Sequence, residues 1–400
     1  MNLKSGMPFW LIKEGLPHTF PKLDHDLETD VLIVGAGISG ALVRYYLLKA
    51  GINCTTIDAR TIGLGSTSAS TSLLQYEIDT PLHQLIEMVG EKNAERAYQL
   101  CGKAILDLKN IAEELQFEDF KLRKSLFFAA YKKDVSMLEK EFEARKKAGF
   151  EVEFLQEKEV KKQFGFEAPA AILSSLAAET NAYTFSHELL QYKGKSKKLN
   201  IFDRTPITKI DTKSNGIIAT TENGYTIKAN KIVYATGYEV VDFIDKKIVN
   251  LLSTYAVVSE QFNEKNFWKD EVLIWNTANP YLYLRTTSDN RILIGGRDEE
   301  FHNPKKRDEL IEKKADQLVG DFEKLFPKIN FKKEFSWTGT FGSTKDGLPY
   351  IGKYKPLPNS YFALGFGGNG ITFSLIAAEI IRDEILGKNN PDAAIFSFDR

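Results

Sequence analysis

Hydrophobic residues near the front of the chain change from a continuous run to helical spacing and back to a continuous run. The run DVLIV at residues 30–34 is rich in β-branched side chains and predicts a strand buried on both faces. Residues 38–50 carry apolar side chains at helical spacing, and Gly51 stands where a helix C-cap is expected. Residues 52–57 (INCTTI) return to strand character and end at Asp58. The pattern predicts a complete βαβ unit at the start of the protein.

Two long segments in the middle of the chain combine helical periodicity with many charges. Residues 91–115 and 134–148 predict surface helices over a sheet, with a strand at 125–131 between them. A helix is predicted at 371–386. Short strands separated by turn sequences are predicted at 207–211, 216–221, 225–229, 231–235, 252–260, 272–275, 281–286 and 291–295. Strand-rich regions on both sides of a helical insertion favour an interrupted nucleotide-binding domain, with a second sheet-containing domain inserted twice.

The composition narrows the class of protein. With 400 residues, 43% hydrophobic and 27% charged, the chain is too long for one core and too apolar for disorder, so two domains are expected. Lys and Arg total 53 against 54 Asp and Glu, and this balance argues against nucleic acid as a partner. Two cysteines favour a reducing cytoplasm, and no apolar stretch approaches the roughly 20 residues of a membrane span. The five histidines lack metal-ligand spacing, so no metal site is predicted.

The sequence Gly-Ala-Gly-Ile-Ser-Gly at residues 35–40 fits the G-x-G-x-x-G fingerprint in its full context. It follows a predicted strand, opens a predicted helix, and has Asp58 at the end of the next strand. Gly35 permits the tight turn, Gly37 leaves no Cβ between the backbone and a pyrophosphate, and Gly40 lets the helix pack close to the strand. Asp58 is suited to ribose hydroxyls, which argues against NADP. We therefore expect a dinucleotide at the N-terminus of this helix.

Two further segments place glycines at strand ends. Residues 361–372 (YFALGFGGNGIT) carry four glycines between a strand and the last helix, more than a turn alone requires. A helix N-terminus pointed at a flavin would stabilise the anionic reduced ring, whereas a tight connection between strand and helix is the alternative interpretation. Residues 231–238 (KIVYATGY) end in Ala-Thr-Gly and a tyrosine.

Together these segments resemble the D-amino-acid oxidase superfamily of FAD-dependent amine oxidoreductases, which includes glycine oxidase and sarcosine oxidase. The resemblance covers about residues 30–400, and its marks are DVLIVGAGISG, GSTSAS, ATG, DGLPYIG, GFGGNGITFS and the ending IFSFDR. It implies an α/β fold in which a Rossmann-like FAD-binding domain is interleaved with a mixed-sheet (α+β) substrate domain. The expected FAD-binding domain is 25–80, 183–243 and 338–400. The expected substrate domain is 81–182 and 244–337, after an N-terminal extension at 1–24.

The resemblance also implies roles for individual residues. Non-covalent FAD is expected, because the cysteine that carries the flavin in sarcosine oxidases would fall near Gly339. The expected FAD-binding residues are Gly35, Gly37, Ser39, Gly40, Asp58, Ala59, Arg60, Ser66, Thr67, Ser68, Thr236, Gly237, Gly367, Gly368, Asn369, Gly370, Ile371 and Thr372.

On the substrate side, the resemblance places Arg285 where glycine oxidase keeps the arginine that grips a carboxylate. A bidentate guanidinium suits that task, although a strand-end arginine in a surface ion pair is an equal alternative from the residues alone. Tyr255, Tyr281 and Tyr283 are candidates for the pocket wall, with ordinary core packing as the alternative for each. No other side chain is required as a catalytic acid or base.

The expected reaction is oxidation of a C–N bond of a small amino acid or N-alkyl amino acid by hydride transfer to flavin N5. Leu293 falls where sarcosine oxidases keep an oxygen-activating lysine, so O2 and a carrier such as a quinone both stay open as electron acceptor. Two alternatives also stay open. One is a flavoenzyme of the same fold acting on a hydroxy acid, a polyol phosphate or a modified tRNA base. The other is a flavin-binding subunit that needs a partner.

Overall fold

The computed structural model describes residues 3–195, 198–239, 244, 248–264, 267–364 and 366–400. The helices in these ranges are α1 (Phe9–Glu14), α2 (Ile38–Lys49), α3 (Leu82–Val89), α4 (Glu91–Glu114), α5 (Val135–Lys147), α6 (Glu157–Phe164), α7 (Ala182–Gln191), α8 (Pro304–Asp308), α9 (Ile311–Leu325) and α10 (Gly370–Ile385). The strands are β1 (Lys4–Gly6), β2 (Leu27–Val34), β3 (Cys54–Ile57), β4 (Leu73–Gln75), β5 (Phe120–Phe128), β6 (Val152–Gln156), β7 (Ala170–Thr180), β8 (Ile201–Phe202), β9 (Ile207–Lys213), β10 (Gly216–Thr221), β11 (Thr226–Tyr234), β12 (Asn250–Ser259), β13 (Leu273–Asn276), β14 (Leu282–Thr286), β15 (Ile292–Glu300), β16 (Lys333–Ser343), β17 (Tyr350–Lys353) and β18 (Ser360–Leu364).

The first sheet contains the predicted βαβ unit at its centre. Its order is β17-β18-β11-β2-β3-β8, and β9 and β10 extend it as a branch from β11. Strands β18, β11, β2, β3 and β8 run parallel, so the carboxyl ends of β2 and β11 lie side by side. Helices α2 and α10 cover one face of this sheet and share a core with buried residues of α4. The predicted Rossmann-like architecture is therefore confirmed.

The second sheet is mixed and has ten strands. Its order is β1-β16-β12-β15-β14-β13-β5-β7-β4, with β6 on β7. One face packs on α9 through a core that includes Val257 of β12 and the buried side chains Leu318 and Phe322 of the helix. Because side chains alternate across a strand, the other face of β12 is free to face the first sheet.

The chain passes repeatedly between the two sheets. Strand β1 belongs to the second sheet, β2 and β3 to the first, β4–β7 to the second, β8–β11 to the first, β12–β16 to the second, and β17–β18 to the first. Every strand of the first sheet lies within the segments 25–80, 183–243 and 338–400. Strand β4 and the end of β16 lie in segments expected for the FAD-binding domain but pair into the second sheet, as does β1 from the N-terminal extension. The boundary at 243/244 falls beside residues outside the described ranges.

Local predictions differ from the structure in two instructive ways. The strands expected at 225–229 and 231–235 are one strand, β11, because the exposed Asn230 between them continues the strand along β2. Helix α4 was expected on the surface, but eleven of its residues are buried, in a core shared with α10 and the first sheet. In the described part of the chain, no helix is long and apolar enough to span a membrane.

Candidate active site

A cavity of about 720 Å³ lies between the two sheets. One end is formed by the turns that follow β2, β3 and β11, and the other by residues of β12 and β14 and by the segment that follows β4. The glycine-rich loop before α10 lines it between these ends. One continuous cavity therefore connects the dinucleotide fingerprint with the second sheet.

The fingerprint glycines occupy positions where a side chain has no room. Gly35 has a φ of +103°, and a Cβ there would overlap the carbonyl oxygen of Ala235. At Gly40 a Cβ would overlap the carbonyl oxygen of Gly35, so the close packing of helix on strand depends on this glycine. A Cβ at Gly37 would lie 2.6 Å from Thr67 Oγ1. The turn is thus built for close backbone approach.

Side chains from later segments organise the same turn. Thr67 Oγ1 accepts a hydrogen bond from the backbone N–H of Ile38 at 3.0 Å, at the first turn of α2. The carboxylate of Asp58 accepts from the backbone N–H of Ala36 and of Arg60, each at 2.8 Å. Burial raises the pKa of Asp58, which these two donors partly offset. Asp58 therefore ties the end of β3 to the glycine turn.

The loop before α10 is anchored from the opposite side of the cavity. Asn369 Nδ2 donates to the carbonyl oxygens of Gln75 at 3.1 Å and Glu77 at 2.8 Å. The Thr372 hydroxyl donates to the carbonyl oxygen of Asn369 at 2.9 Å. The loop glycines thus present backbone to the cavity while a buried amide holds them against the segment after β4. Gly365 lies outside the described residues.

Most of the residues expected to bind the cofactor lie together in the cavity wall. They are Gly35, Gly37, Ser39, Asp58, Ala59, Arg60, Ser66, Thr67, Thr236, Gly237, Gly367, Gly368, Asn369, Gly370, Ile371 and Thr372. Two of the residues expected to bind the cofactor, Gly40 and Ser68, do not line the cavity but pack next to residues that do. Gly40 packs on Gly35, and the buried Ser68 hydroxyl donates to the carbonyl oxygen of Gly65 at 3.1 Å.

Tyr255 does not occupy the expected place on the substrate side. Its ring is buried in the core on the α9 side of the second sheet, and its hydroxyl donates to the carbonyl oxygen of Arg307 at 3.4 Å. Its neighbours Thr254 and Ala256 line the cavity instead. Because alternate side chains of a strand face opposite ways, the prediction was wrong by one residue of register.

Tyr283 lines the cavity, as expected. The role expected for Arg285 differs from the one that the structure shows. The Arg285 side chain is 1% exposed, and its Nη1 donates to the carbonyl oxygens of Thr71, Ser72 and Thr180. Its Nε donates to the carbonyl oxygen of Thr286 at 2.8 Å. Its Nε also lies 3.6 Å from the buried carboxylate of Glu179, so Arg285 does form an ion pair, but a buried one. Arg285 does not line the cavity, and the structure gives it a structural role in place of the expected carboxylate binding.

Several residues of the cavity wall were not predicted from the sequence. They are the aromatic and polar residues Phe127, Trp275, Tyr238, Asp79, Asn279 and Trp337. Phe127 and Trp275 stack with ring centroids 3.8 Å apart. Asp79 follows strand β4 and precedes Pro81, a strand-end position that is the one local signal for it.

A fully buried network of charged side chains, formed by Arg145, Glu141 and Glu77, lies next to the cavity. Arg145 Nε donates to Glu141 at 2.7 Å, and its Nη1 lies 3.2 Å from Glu77, which lines the cavity. Burial opposes ionisation of Glu141, but Arg145 and His83 outweigh it and lower the pKa of Glu141 to about 2. Burial raises the pKa of Glu77. The network holds α5 against the segment after β4.

Comparison with known families identifies the family of this protein. The family model described as FAD dependent oxidoreductase (DAO) matches residues 30–384. The chain belongs to this family. It is an FAD-dependent oxidoreductase, as the predicted cofactor and fold required.

Individual family members are similar at low identity over nearly the whole chain. Glycine oxidase of Bacillus licheniformis is 24% identical over 366 residues, which cover 90% of this chain and 93% of that protein. Gamma-glutamylputrescine oxidoreductase of Escherichia coli is 20% identical, with 92% of this chain and 86% of that protein covered. The crystal structure of glycine oxidase from Geobacillus kaustophilus superposes with a TM-score of 0.77 at 20% identity, covering 93% and 99% of the two chains.

The residues present in the cavity fit FAD. Ser66 Oγ and Thr236 Oγ1 are buried and, among the described residues, have no hydrogen-bond partner. Both residues line the cavity beside the glycine turn. Buried hydroxyls of native proteins are normally satisfied, so two orphans on the wall of a family cofactor cavity are suited to cofactor oxygens.

Proposed function

We propose that this FAD-dependent oxidoreductase oxidises a C–N bond of a small amine substrate, within the class of amino acids and N-alkyl amino acids. The observation that carries the proposal is the continuous cavity, which joins the dinucleotide turn to a pocket of aromatic rings and hydroxyls. Such a pocket can exclude water from a reacting centre beside the dinucleotide turn.

The substrates for which these relatives are named support the amine class. Glycine and gamma-glutamylputrescine each carry a primary amine next to a carbon that bears hydrogen. Both relatives cover most of this chain, so the shared region includes both ends of the cavity. An amine substrate is the chemistry that these two names have in common.

Bound FAD would supply the hydride acceptor for this oxidation. Loss of a hydride from the carbon of a neutral amine gives an iminium ion, which water hydrolyses to a carbonyl compound and ammonium or an alkylammonium ion. The cavity-lining residues after β2, β3 and β11 would hold the dinucleotide part of FAD. The N–H groups at the start of α10 favour negative charge near the glycine loop. Phe127, Trp275 and Tyr283 form the wall that orients the substrate and excludes water.

The test is an anaerobic absorption titration of the FAD-loaded protein with D- and L-amino acids, sarcosine, proline and simple alkylamines. Loss of the visible flavin band with at least one amine, but not with hydroxy acids or polyol phosphates, is the expected result. A flavin band that no amine bleaches would contradict the proposal. Admission of air to the bleached protein, followed by a quinone, then separates O2 from a carrier as the electron acceptor.

A further inference from the structure

The substrate end of the cavity contains a group of acids and phenols. The carboxylate of Asp79 lines the cavity and accepts a hydrogen bond from the backbone N–H of Gly368 at 2.8 Å. A Cβ on Gly368 would lie 3.4 Å from the hydroxyl of Tyr281, so this phenol shares the same space. Asp298 lies behind them with a buried Oδ1 that has no hydrogen-bond partner among the described residues.

The protonation behaviour of these groups shows that they interact. Burial raises the pKa of Asp298 to about 6, and the negative charge of Asp79 adds to this rise. Burial together with Asp79 and Asp298 raises the pKa of Tyr281 far above its ordinary value. Burial also raises the pKa of Asp79, against the hydrogen bond from Gly368 that lowers it, so a cation bound beside Asp79 would favour its ionised form.

Positive side chains are scarce along the same wall. Among the described residues that line the cavity, Arg60 alone has a cationic side chain, and it forms a two-pronged ion pair with Glu239. Arg285 is occupied by backbone carbonyls. Glu77 is a further acid of the wall: its Oε1 pairs with Arg145, but its buried Oε2 has no hydrogen-bond partner in the described part of the chain.

Asp79 lines the cavity and forms no ion pair with any described residue, and aromatic rings add attraction for an organic cation. Tyr281 and Tyr283 stand with ring centroids 5.7 Å apart, and Trp275 and Phe127 line the same cavity. A carboxylate flanked by aromatic rings is complementary to an alkylammonium group and repels a substrate carboxylate.

We infer that this pocket binds an organic ammonium group with Asp79 as its counter-ion. The favoured substrate therefore carries a second positive charge, as a basic amino acid does, and a diamine is the simplest compound that presents the same two charges. The inference rests on the proposed function, because it assumes that the amine to be oxidised enters this same cavity. Asp79 selects the substrate through charge, and Tyr281 and Tyr283 supply its aromatic surroundings.

A matched pair of inert probes tests the inference without turnover. tert-Butylammonium and pivalate share a tert-butyl group and differ in charge, and neither has a C–H bond beside nitrogen to oxidise. Titration of the FAD-loaded protein should perturb the visible flavin spectrum with tert-butylammonium but not with pivalate. Asp79→Asn keeps an oxygen acceptor for Gly368 and removes the charge, so the Kd for tert-butylammonium should rise at least about tenfold, in line with loss of a charge-assisted contact.

Asp24→Asn is the matched control, since Asp24 is exposed and its side chain pairs with the neighbouring His25 in the described structure. It should leave the Kd unchanged. If Asp79→Asn does not retain FAD, Asp298→Asn removes the neighbouring charge without touching the glycine loop and should raise the Kd about threefold, as expected for a charge that acts at a distance. Tighter binding of pivalate, or an unchanged Kd in these variants, would overturn the inference.

Substrates separate this inference from the proposed function. 1,4-Diaminobutane should bleach the flavin at a lower concentration than n-butylamine or sarcosine, and Asp79→Asn should abolish that preference. Bleaching by sarcosine in preference to 1,4-diaminobutane would leave the proposed function standing and remove the inference. Binding of tert-butylammonium with no bleaching by any amine would remove the proposed function alone.

Discussion

Gly40 and Gly320 both lie inside helices, but their surroundings are opposite. A Cβ on Gly40 would overlap the carbonyl oxygen of Gly35, whereas a Cβ on Gly320 would meet nothing within 4 Å. Gly40→Ala should therefore lower the free energy of unfolding by about 1–3 kcal/mol or more, because backbone must move. Gly320→Ala should raise it by about 0.5–1 kcal/mol through helix propensity. Urea unfolding followed by circular dichroism measures both, and a Gly40→Ala protein of undiminished stability would contradict the close packing.

Arg285 was expected to bind substrate, but in the folded chain it binds backbone carbonyl groups. Its loss leaves the buried carbonyl oxygens of Ser72 and Thr180 without this donor. Arg285→Met should lower the free energy of unfolding by about 3–5 kcal/mol, a range typical of broken buried charge contacts. The half-exposed Arg96, paired with Asp392, is the control, and Arg96→Met should cost about 1 kcal/mol or less.

The readout that separates the two roles of Arg285 is substrate binding. If its role is structural, the surviving folded protein should show the same ratio of KM values for acidic and neutral amines as the unaltered protein. If Arg285→Met kept its stability but selectively lost affinity for substrates with a carboxylate, Arg285 would be a substrate-binding residue after all.

At the scale of elements, the segment that leads into the N-terminal strand β1 contributes to the cavity although the family match begins at residue 30. Strand β1 pairs with β16, and the carbonyl oxygen of Leu3 accepts from the backbone N–H of Thr340 at 2.8 Å. The Leu3 side chain lines the cavity at 6% exposure. The segment before the family match is therefore part of the site.

A charge at Leu3 tests this element. Leu3→Asp places a carboxylate in the wall of a cavity suited to phosphates, so the Kd for FAD should rise at least about tenfold by repulsion and lost burial. Met7 is 49% exposed, and Met7→Asp should change the Kd by less than about twofold. Fluorescence titration of the FAD-free protein gives both constants. Equal effects of the two variants would show that Leu3 does not form part of the wall around FAD.

At the scale of the whole molecule, a buried histidine links pH to stability. His187 on α7 is fully buried beside Tyr183 and Phe20. Burial, with a smaller effect of His18, lowers the pKa of His187 to about 4. In the unfolded chain His187 binds a proton near pH 6.5, whereas in the folded protein it stays neutral until the pH falls to about 4. Stability should therefore fall as the pH is lowered between these values, by up to about 3 kcal/mol.

His187→Phe should remove this fall, since the replacement has no proton to bind. His25→Phe is the control, because the His25 side chain is 59% exposed. The free energy of urea unfolding, measured at intervals from neutral pH down to the lowered pKa of His187, decides the question. An equal slope in the His187→Phe protein would assign the pH dependence to other groups, such as the Glu77, Glu141 and Arg145 network.

The two sheets together make the site, and neither contains it alone. The fingerprint turn comes from the first sheet, the aromatic wall from the second, and the chain crosses between them five times in strand order. The alternation of strand-rich and helix-rich regions in the sequence predicted that the two domains are interleaved. Strands β7 and β16, each of eleven residues, carried no expectation, because β7 is rich in Ala and Ser and depends on its partners β4, β5 and β6 for its conformation.

The sequence by itself determined the features that depend on neighbours along the chain. The βαβ unit, the glycine turn, Asp58 at the end of β3 and the start of α10 follow from local periodicity and from conformations that glycine favours. Only the tertiary structure decided that Tyr255 faces the core, that Arg285 serves carbonyls far away in the chain, and that Asp79 enters the cavity. Strand register and the pairing of distant segments set these outcomes, and a one-residue change of register reverses which way a side chain faces.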